Sequence, residues 1–360
     1  TVSRYFSVLP LSGDYRHNKR LLQNSKKNKQ QSTKRYDNSK KTVEVQGYAM
    51  TYEMAYQYAI SKKRRKELFH GIKWIVIDEA HLMTNPSRGP PLESFVYLMR
   101  KFSTNKKFVL LSATIGNPRE FANHFSCELV YAPPEERPIP LKKTVLPTSK
   151  CGTKDQKLQQ ISTTMMRVFR KETKTGDFGN KSPSMLVFCN SRSLTRSLFR
   201  MFNESSNEFG IKADFHHAGR SKKQRNRVEK MFRNNQLNLV FATPTLSMGI
   251  NVPADIVLIA NARRVDPLTW KVQRIEASEL IQMVGRAGRG GKFSSLTEIV
   301  DGEEKHYGRA VVLSESEDAL LIEKMLEEPV KVESQIPGKL KYLILTWIQA
   351  GCKYKFELEN

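Results

Sequence analysis

The chain has 360 residues, with 60 Lys and Arg against 36 Asp and Glu and a formal net charge of +24. At roughly 150 residues per domain there is room for two or three domains that each bury a core, and so basic a balance predicts a polyanionic partner, nucleic acid first. The longest apolar run, Tyr342 to Ile348 with one Thr inside it, is far short of the ~18 residues that cross a bilayer, which excludes a membrane-spanning helix and predicts no membrane partner.

The chain opens Thr1-Val2-Ser3-Arg4, with neither an initiating Met nor a charged-then-apolar leader, and is expected to be a piece of a longer protein. Arg16 to Lys41 carries ten Lys or Arg against one Asp, with Asn, Gln and Ser between them. A segment so poor in apolar residues is expected to form an exposed basic insertion. From Trp74 onward short apolar runs recur: Trp74 to Ile77, Phe108 to Leu111, Met185 to Phe188, Leu239 to Phe241, Ile256 to Ile259 and Ala310 to Leu313. Such runs read as strands buried on both faces. Between them Leu92 to Phe102, Leu194 to Phe202 and Gln224 to Phe232 have helical spacing, and the alternation predicts an α/β fold with parallel sheets. Residues 131–154 hold Pro133, Pro134, Pro138, Pro140 and Pro147 without periodicity and read as a linker between a first domain, 1–130, and a second, 155–314. Residues 315–360 read as the start of a helical third domain.

The strand Trp74 to Ile77 ends in Asp78-Glu79-Ala80-His81. Ligands of open parallel sheets bind beyond the carboxyl ends of the strands. An Asp there suits Mg²⁺ and an adjacent Glu suits orientation or deprotonation of a water, although two carboxylates capping the next turn would give the same letters. Ser112-Ala113-Thr114, Phe188 to Arg192 and Ala242 to Pro253 follow later strands. Last comes Gln282-Met283-Val284-Gly285-Arg286-Ala287-Gly288-Arg289. Its two arginines, three residues apart, share one side of a helical turn and suit a γ-phosphate clamp; a Gly/Arg-rich surface loop is the plainer alternative. The four cysteines (Cys127, Cys151, Cys189, Cys352) are too scattered for a zinc site or a disulfide framework, and His216-His217 lacks ligand partners at metal spacing. A reducing, intracellular setting is expected, cytoplasmic in a prokaryote or nuclear in a eukaryote.

In this order and at these separations the passages resemble the superfamily 2 DExH helicases, and within them the Ski-like branch of fork-repair DNA helicases and related RNA helicases. Asp78 to His81 resembles motif II, Ser112 to Thr114 motif III, Phe188 to Arg192 motif IV, Ala242 to Pro253 motif V and Gln282 to Arg289 motif VI. Thr51-Tyr52-Glu53, Arg88 to Glu93 and His216 to Arg220 also resemble the branch.

The resemblance implies two RecA-like domains, the first truncated at its N-terminus, and then the start of a winged-helix domain. It implies ATP and Mg²⁺ as cofactors and 3′ to 5′ movement along single-stranded or forked DNA, with RNA as the alternative substrate and a non-hydrolysing nucleic-acid-binding scaffold as the alternative class. Asp78, Glu79, Gln282, Arg286 and Arg289 would be catalytic, with Asp78 on Mg²⁺; His81, Gly249 and Asn251 would lie at the nucleotide. Ser112 and Thr114 would couple hydrolysis to movement. Thr51, Asn190, Arg192, Thr243 and Thr245 would contact nucleic acid. The strand-splitting hairpin of the branch falls on Arg263 to Ile275, where Trp270 is either a stacking group or packed core. No G-x-x-x-x-G-K-[ST] phosphate loop occurs in the chain, so the chain by itself is expected to be inactive and the loop to lie upstream. Phe293 to Tyr307 is an insertion without an assigned role.

Overall fold

The computed structural model describes residues 8–11, 47–103, 105–113, 115–132, 136–173, 183–205, 210–246, 252–266, 269–288 and 296–352. The expected basic insertion, 16–41, lies outside them. The chain divides into two compact units, 1–129 with 331–360, and 130–330. No helix among the described residues is long and apolar enough to cross a membrane.

The first unit pairs β1 (Val8–Leu11) with β2 (Gly47–Met50), and β3 (Trp74–Ile77) with β4 (Lys107–Leu110), both in parallel. Helix α1 (Tyr52–Ile60) starts where the Thr51 hydroxyl accepts the Met54 N–H at 3.4 Å and satisfies an amide that has no intrahelical partner. Helix α2 (Lys62–Phe69) follows directly, capped in the same way by Ser61. Helix α3 (Gly89–Phe102) carries proline in its first turn, where no N–H is needed, and turns Leu92, Phe95, Val96 and Met99 into the core. Helix α4 (Pro118–His124) closes this part.

The helix Leu340–Ala350 belongs to the same core through Leu343, Trp347 and Ala350. Buried Arg65 ties it to α1, donating to the carbonyls of Ala59 (2.7 Å) and Ala350 (3.1 Å) while its guanidinium lies 3.9 Å from the centre of the Phe102 ring. One cation thus serves the C-terminal carbonyls of two helices, where the dipole is negative. Upstream, the Asn117 side chain accepts the Val332 N–H at 2.8 Å and donates to the Val332 carbonyl at 3.0 Å, as a neighbouring strand would.

The second unit holds six parallel strands: β5 (Leu141–Thr148), β6 (Met185–Phe188), β7 (Ala213–His216), β8 (Leu239–Ala242), β9 (Ile256–Ile259) and, after two hairpins, β14 (Gly308–Glu315). Their order is β5-β14-β9-β6-β8-β7. Alternation divides the side chains between two cores. Leu186, Phe188, Val240, Val257, Ile259 and Val312 meet helices α7 (Lys222–Arg233), α8 (Ala277–Val284) and α9 (Ala319–Glu327). Met185, Val187, Phe241, Ile256, Leu258 and Val311 meet α5 (Lys154–Glu172) and α6 (Arg192–Ser205). Each fully buried Leu, Ile or Phe contributes about 1.5–3 kcal/mol, so both faces must stay covered. The hairpins are β10 (Arg263–Val265) with β11 (Val272–Arg274) and β12 (Thr297–Val300) with β13 (Glu303–His306), the second of them inside the insertion 293–307.

Two features differ from the expected organisation. The span 131–154, read as a linker, contains β5, which pairs along its whole length with β14. It sits at the sheet edge, half exposed, where Pro147 needs no ladder partner for a missing N–H, so it has neither the apolar run nor the periodicity of its neighbours. The span 315–360 is divided: Ile322 and Leu326 of α9 pack in the second unit, and residues 331–352 pack in the first.

Candidate functional site

In the first unit the expected acidic tip is a connected structure. Ile75 and Ile77 point into the core, so β3 is anchored on one face and delivers Asp78 to the surface at its carboxyl end. The Asp78 carboxylate accepts the Glu79 N–H at 2.9 Å. Glu79 adopts a left-handed backbone, φ 53° and ψ 43°, which costs a non-glycine residue roughly 1–2 kcal/mol. That turn starts the 3-10 segment Ala80–Thr84, whose first N–H is held by the Leu111 carbonyl at 2.8 Å.

His81 is buried between the two motifs. Its Nε2 lies 3.6 Å from Glu79 Oε2, and its Nδ1 lies 3.4 Å from both the Ser112 hydroxyl and the Ala113 amide. An amide can only donate, so Nδ1 accepts and the ring proton sits on Nε2, facing Glu79. Burial pushes the imidazole below its ordinary pKa of 6.5 against the opposing pull of Glu79 and Asp78, which keeps it neutral. One ring therefore joins the carboxylate at the tip of β3 to the loop after β4.

Tyr52, next to the expected contact residue Thr51, donates its hydroxyl to the Asp78 carbonyl. Burial raises this phenol to about 12, so it remains a donor at neutral pH. Arg88 lies 5.2 Å from the centre of the Tyr52 ring and bonds Glu53 through Nε at 3.2 Å. The Thr51 hydroxyl itself is occupied as the cap of α1. Thr51-Tyr52-Glu53 is one of the passages that resemble the branch, but the contact of Tyr52 with Asp78, across 26 residues, leaves no local pattern in the sequence.

In the second unit the expected residues gather at the carboxyl edge of the sheet. Asn190 follows β6, and its side-chain amide donates to the Arg263 carbonyl at 2.5 Å, fixing the root of the β10–β11 hairpin. Arg192 is exposed at the start of α6. Thr243 is buried after β8 and donates its N–H to the His216 carbonyl at 3.1 Å. Gln282 is half-buried on α8 and Arg286, 3 % exposed, follows the helix, where its carbonyl accepts the Ala254 N–H at 3.2 Å. Trp270 is 80 % exposed at the hairpin tip, with φ 57°, which excludes the packed-core alternative. Thr114, Gly249, Asn251, Arg289 and the Thr245 side chain lie outside the described residues.

Asp318 at the N-terminus of α9, not foreseen from sequence, clamps the hairpin. Its Oδ2 accepts from Arg263 Nε at 2.5 Å and its Oδ1 from Arg274 Nε at 2.8 Å. These arginines are direct cross-strand partners, and like charges so placed repel unless a carboxylate stands between them. Glu315 adds a second contact to Arg263 at 2.7 Å, and Arg264 reaches Glu279 at 2.6 Å.

Comparison with known proteins finds helicases for both parts of the chain. The DEAD/DEAH box helicase family matches residues 13–121, and the helicase conserved C-terminal domain matches residues 166–291. The ATP-dependent DNA helicase Hel308 of Thermoplasma volcanium is 29 % identical over 302 residues, covering 77 % of this chain and 41 % of that protein. A probable ATP-dependent helicase of Methanocaldococcus jannaschii is 30 % identical over 315 residues, 86 % of this chain and 35 % of its own length. Hel308 of Methanococcus vannielii is 31 % identical over 301 residues, 71 % and 37 % respectively. The chain thus spans about two-fifths or less of the curated relatives it matches.

Proposed function

Since the chain belongs to the superfamily 2 helicases, in the Ski-like branch that holds the Hel308 DNA helicases, we propose that it carries the motor core of an ATP-dependent DNA helicase. The whole protein, on this reading, moves 3′ to 5′ along one strand of a fork and opens the duplex ahead of it, in the repair of stalled replication. The observation that carries the reading is the His81 bridge, which ties the Glu79 carboxylate to Ser112 across two strand ends.

The donor set fits a Mg²⁺-nucleotide. Asp78 is exposed at a strand tip, and among the described residues no cluster of three or more His, Cys, Asp or Glu stands ready to hold a metal by protein ligands alone. Mg²⁺ in such sites is held by one or two carboxylates and by the phosphates. When bound, Mg²⁺-ATP supplies the electrophilic γ-phosphorus and neutralises charge on the phosphate oxygens. Asp78 is the carboxylate that would hold the cation, and Glu79 takes the proton from the attacking water. Gln282 orients that water, and Arg286 and Arg289 offset the charge that develops. A change at Glu79 reaches Ser112 through His81, Thr114 is the second coupling residue, and Asn190, Arg192, Thr243 and Thr245 grip the strand.

The test is ATP hydrolysis by the whole protein with and without single-stranded DNA or RNA at matched salt. DNA is expected to stimulate, and Glu79→Gln is expected to lower turnover by ~10² to 10⁴ while leaving strand binding intact. Stimulation by RNA alone would move the proposal to the RNA members of the branch. Full activity in Glu79→Gln would remove the role of the acidic tip.

A further inference from the structure

Helix α6 presents Arg192, Arg196 and Arg200 four residues apart. That spacing places them on one face, about 6 Å between neighbours and ~12 Å from first to last. All three are exposed, and among the described residues none is paired with a carboxylate. Three other arginines of the second unit do have such partners: Arg220 is bound to Asp214, Arg263 to Asp318 and Glu315, and Arg264 to Glu279. Three like charges at this spacing repel, and Arg192 also stands at the positive end of the helix dipole, with no acidic residue in the first turn to offset it. Glu204 stands one turn beyond Arg200, but Arg192 and Arg196 have no ion pair among the described residues, so the stripe costs helix stability.

A second observation lies at its foot. His217 accepts the Gly219 N–H on Nδ1 at 3.1 Å, which leaves its proton on Nε2, and that atom is buried without a hydrogen-bond partner among the described residues. The His217 ring and Arg192 Nη1 flank Gly219 together: a Cβ placed there would meet them at 3.1 and 3.4 Å. The foot is also fixed in position, because Asn190, two residues before Arg192, holds the first residue of the β10–β11 hairpin.

We propose that α6 is a phosphate track, on which Arg192, Arg196 and Arg200 take successive phosphates of the single strand that leaves the hairpin. The track rests on the helicase reading and deepens it, since it carries the contact expected of Arg192 two further turns along the outside of the second unit. Guanidinium suits the task because it stays charged and grips phosphate through two N–H groups. Contacts of this type position a strand without reading its sequence.

The test is the salt dependence of oligonucleotide binding without nucleotide, which counts phosphates directly. Each phosphate neutralised on a single strand contributes about 0.7 to the slope of log K against log salt. Arg196→Gln with Arg200→Gln is expected to flatten the single-strand slope by about 1.4. Arg167→Gln with Lys171→Gln, on exposed positions of α5 with the same spacing, removes equal charge and is expected to leave the slope unchanged. Circular dichroism melts of both doubles verify that they fold. An equal change in both, no change in either, or a change confined to duplex DNA overturns the track. Its failure is distinct from failure of the helicase reading, which would show as absent DNA-stimulated ATP hydrolysis in the unmodified whole protein.

Discussion

Replacing Asp318 with Asn keeps the shape of the clamp and removes its charge. In the native arrangement one carboxylate, 2 % exposed, satisfies Arg263 and Arg274 at once. A hydrogen bond to a charged partner contributes about 1.5–3 kcal/mol, and facing like charges add a few tenths of repulsion. Arg263 keeps Glu315 at 2.7 Å, so the loss falls mainly on Arg274, which is half exposed and partly rehydrated. The result is ~2 kcal/mol of easier hairpin opening, or roughly 30-fold faster local amide exchange. Hydrogen exchange read by mass spectrometry should show that acceleration in Arg263–Val265 and Val272–Arg274 while β9 and β14 stay protected. Forked-duplex unwinding should fall, with DNA-stimulated ATP hydrolysis retained. Unchanged exchange in the hairpin, or equal acceleration across the sheet, would refute the clamp. Acid supplies a second route to the same state. The Arg263 hydrogen bond holds the Asp318 carboxyl below its ordinary 3.8, so its contribution is complete above that value and is lost as pH falls through the lowered one.

Two other outcomes follow from the first unit. A Cβ on Gly89 would stand 1.9 Å from the Met83 carbonyl oxygen, which is backbone and cannot step aside; Gly89→Ala should cost about 3 kcal/mol, and differential scanning calorimetry should find the first transition lowered by ~6 to 12 °C. His81 is held below 6.5 in the fold, so the unfolded chain takes up its proton first. Its contribution to stability is present above 6.5 and is lost as pH falls through the lowered folded value. Urea melts on either side of that pH should show a drop in the native protein that His81→Ala lacks. The same variant should uncouple strand binding from ATP hydrolysis, seen as weakened DNA stimulation.

The strands most legible in the sequence are those covered on both sides. Met185 to Phe188 and Ile256 to Ile259 are apolar at every position because both faces meet helices, and no polar alternation blurs them. Strand β5 was obscured for the opposite reason: an edge position tolerates Lys142, Lys143 and Pro147. At the site, Asp78 and Glu79 could be placed because a strand tip is a local feature. The contact of Tyr52 and the clamp at Asp318 could not, since their partners lie 26 residues away in one case and 44 and 55 in the other. Long-range electrostatic pairing leaves no mark in the spacing of either partner.

The left-handed backbone at Glu79 carries a consequence for how this protein can change. Gly or Asn would relax that turn and raise the melting temperature, while removing the carboxylate on which the proposed water activation depends. Variants enriched by heat challenge alone should therefore accumulate at residue 79 and arrive as sturdier, idle proteins. The trade between endurance and turnover is located in one peptide unit.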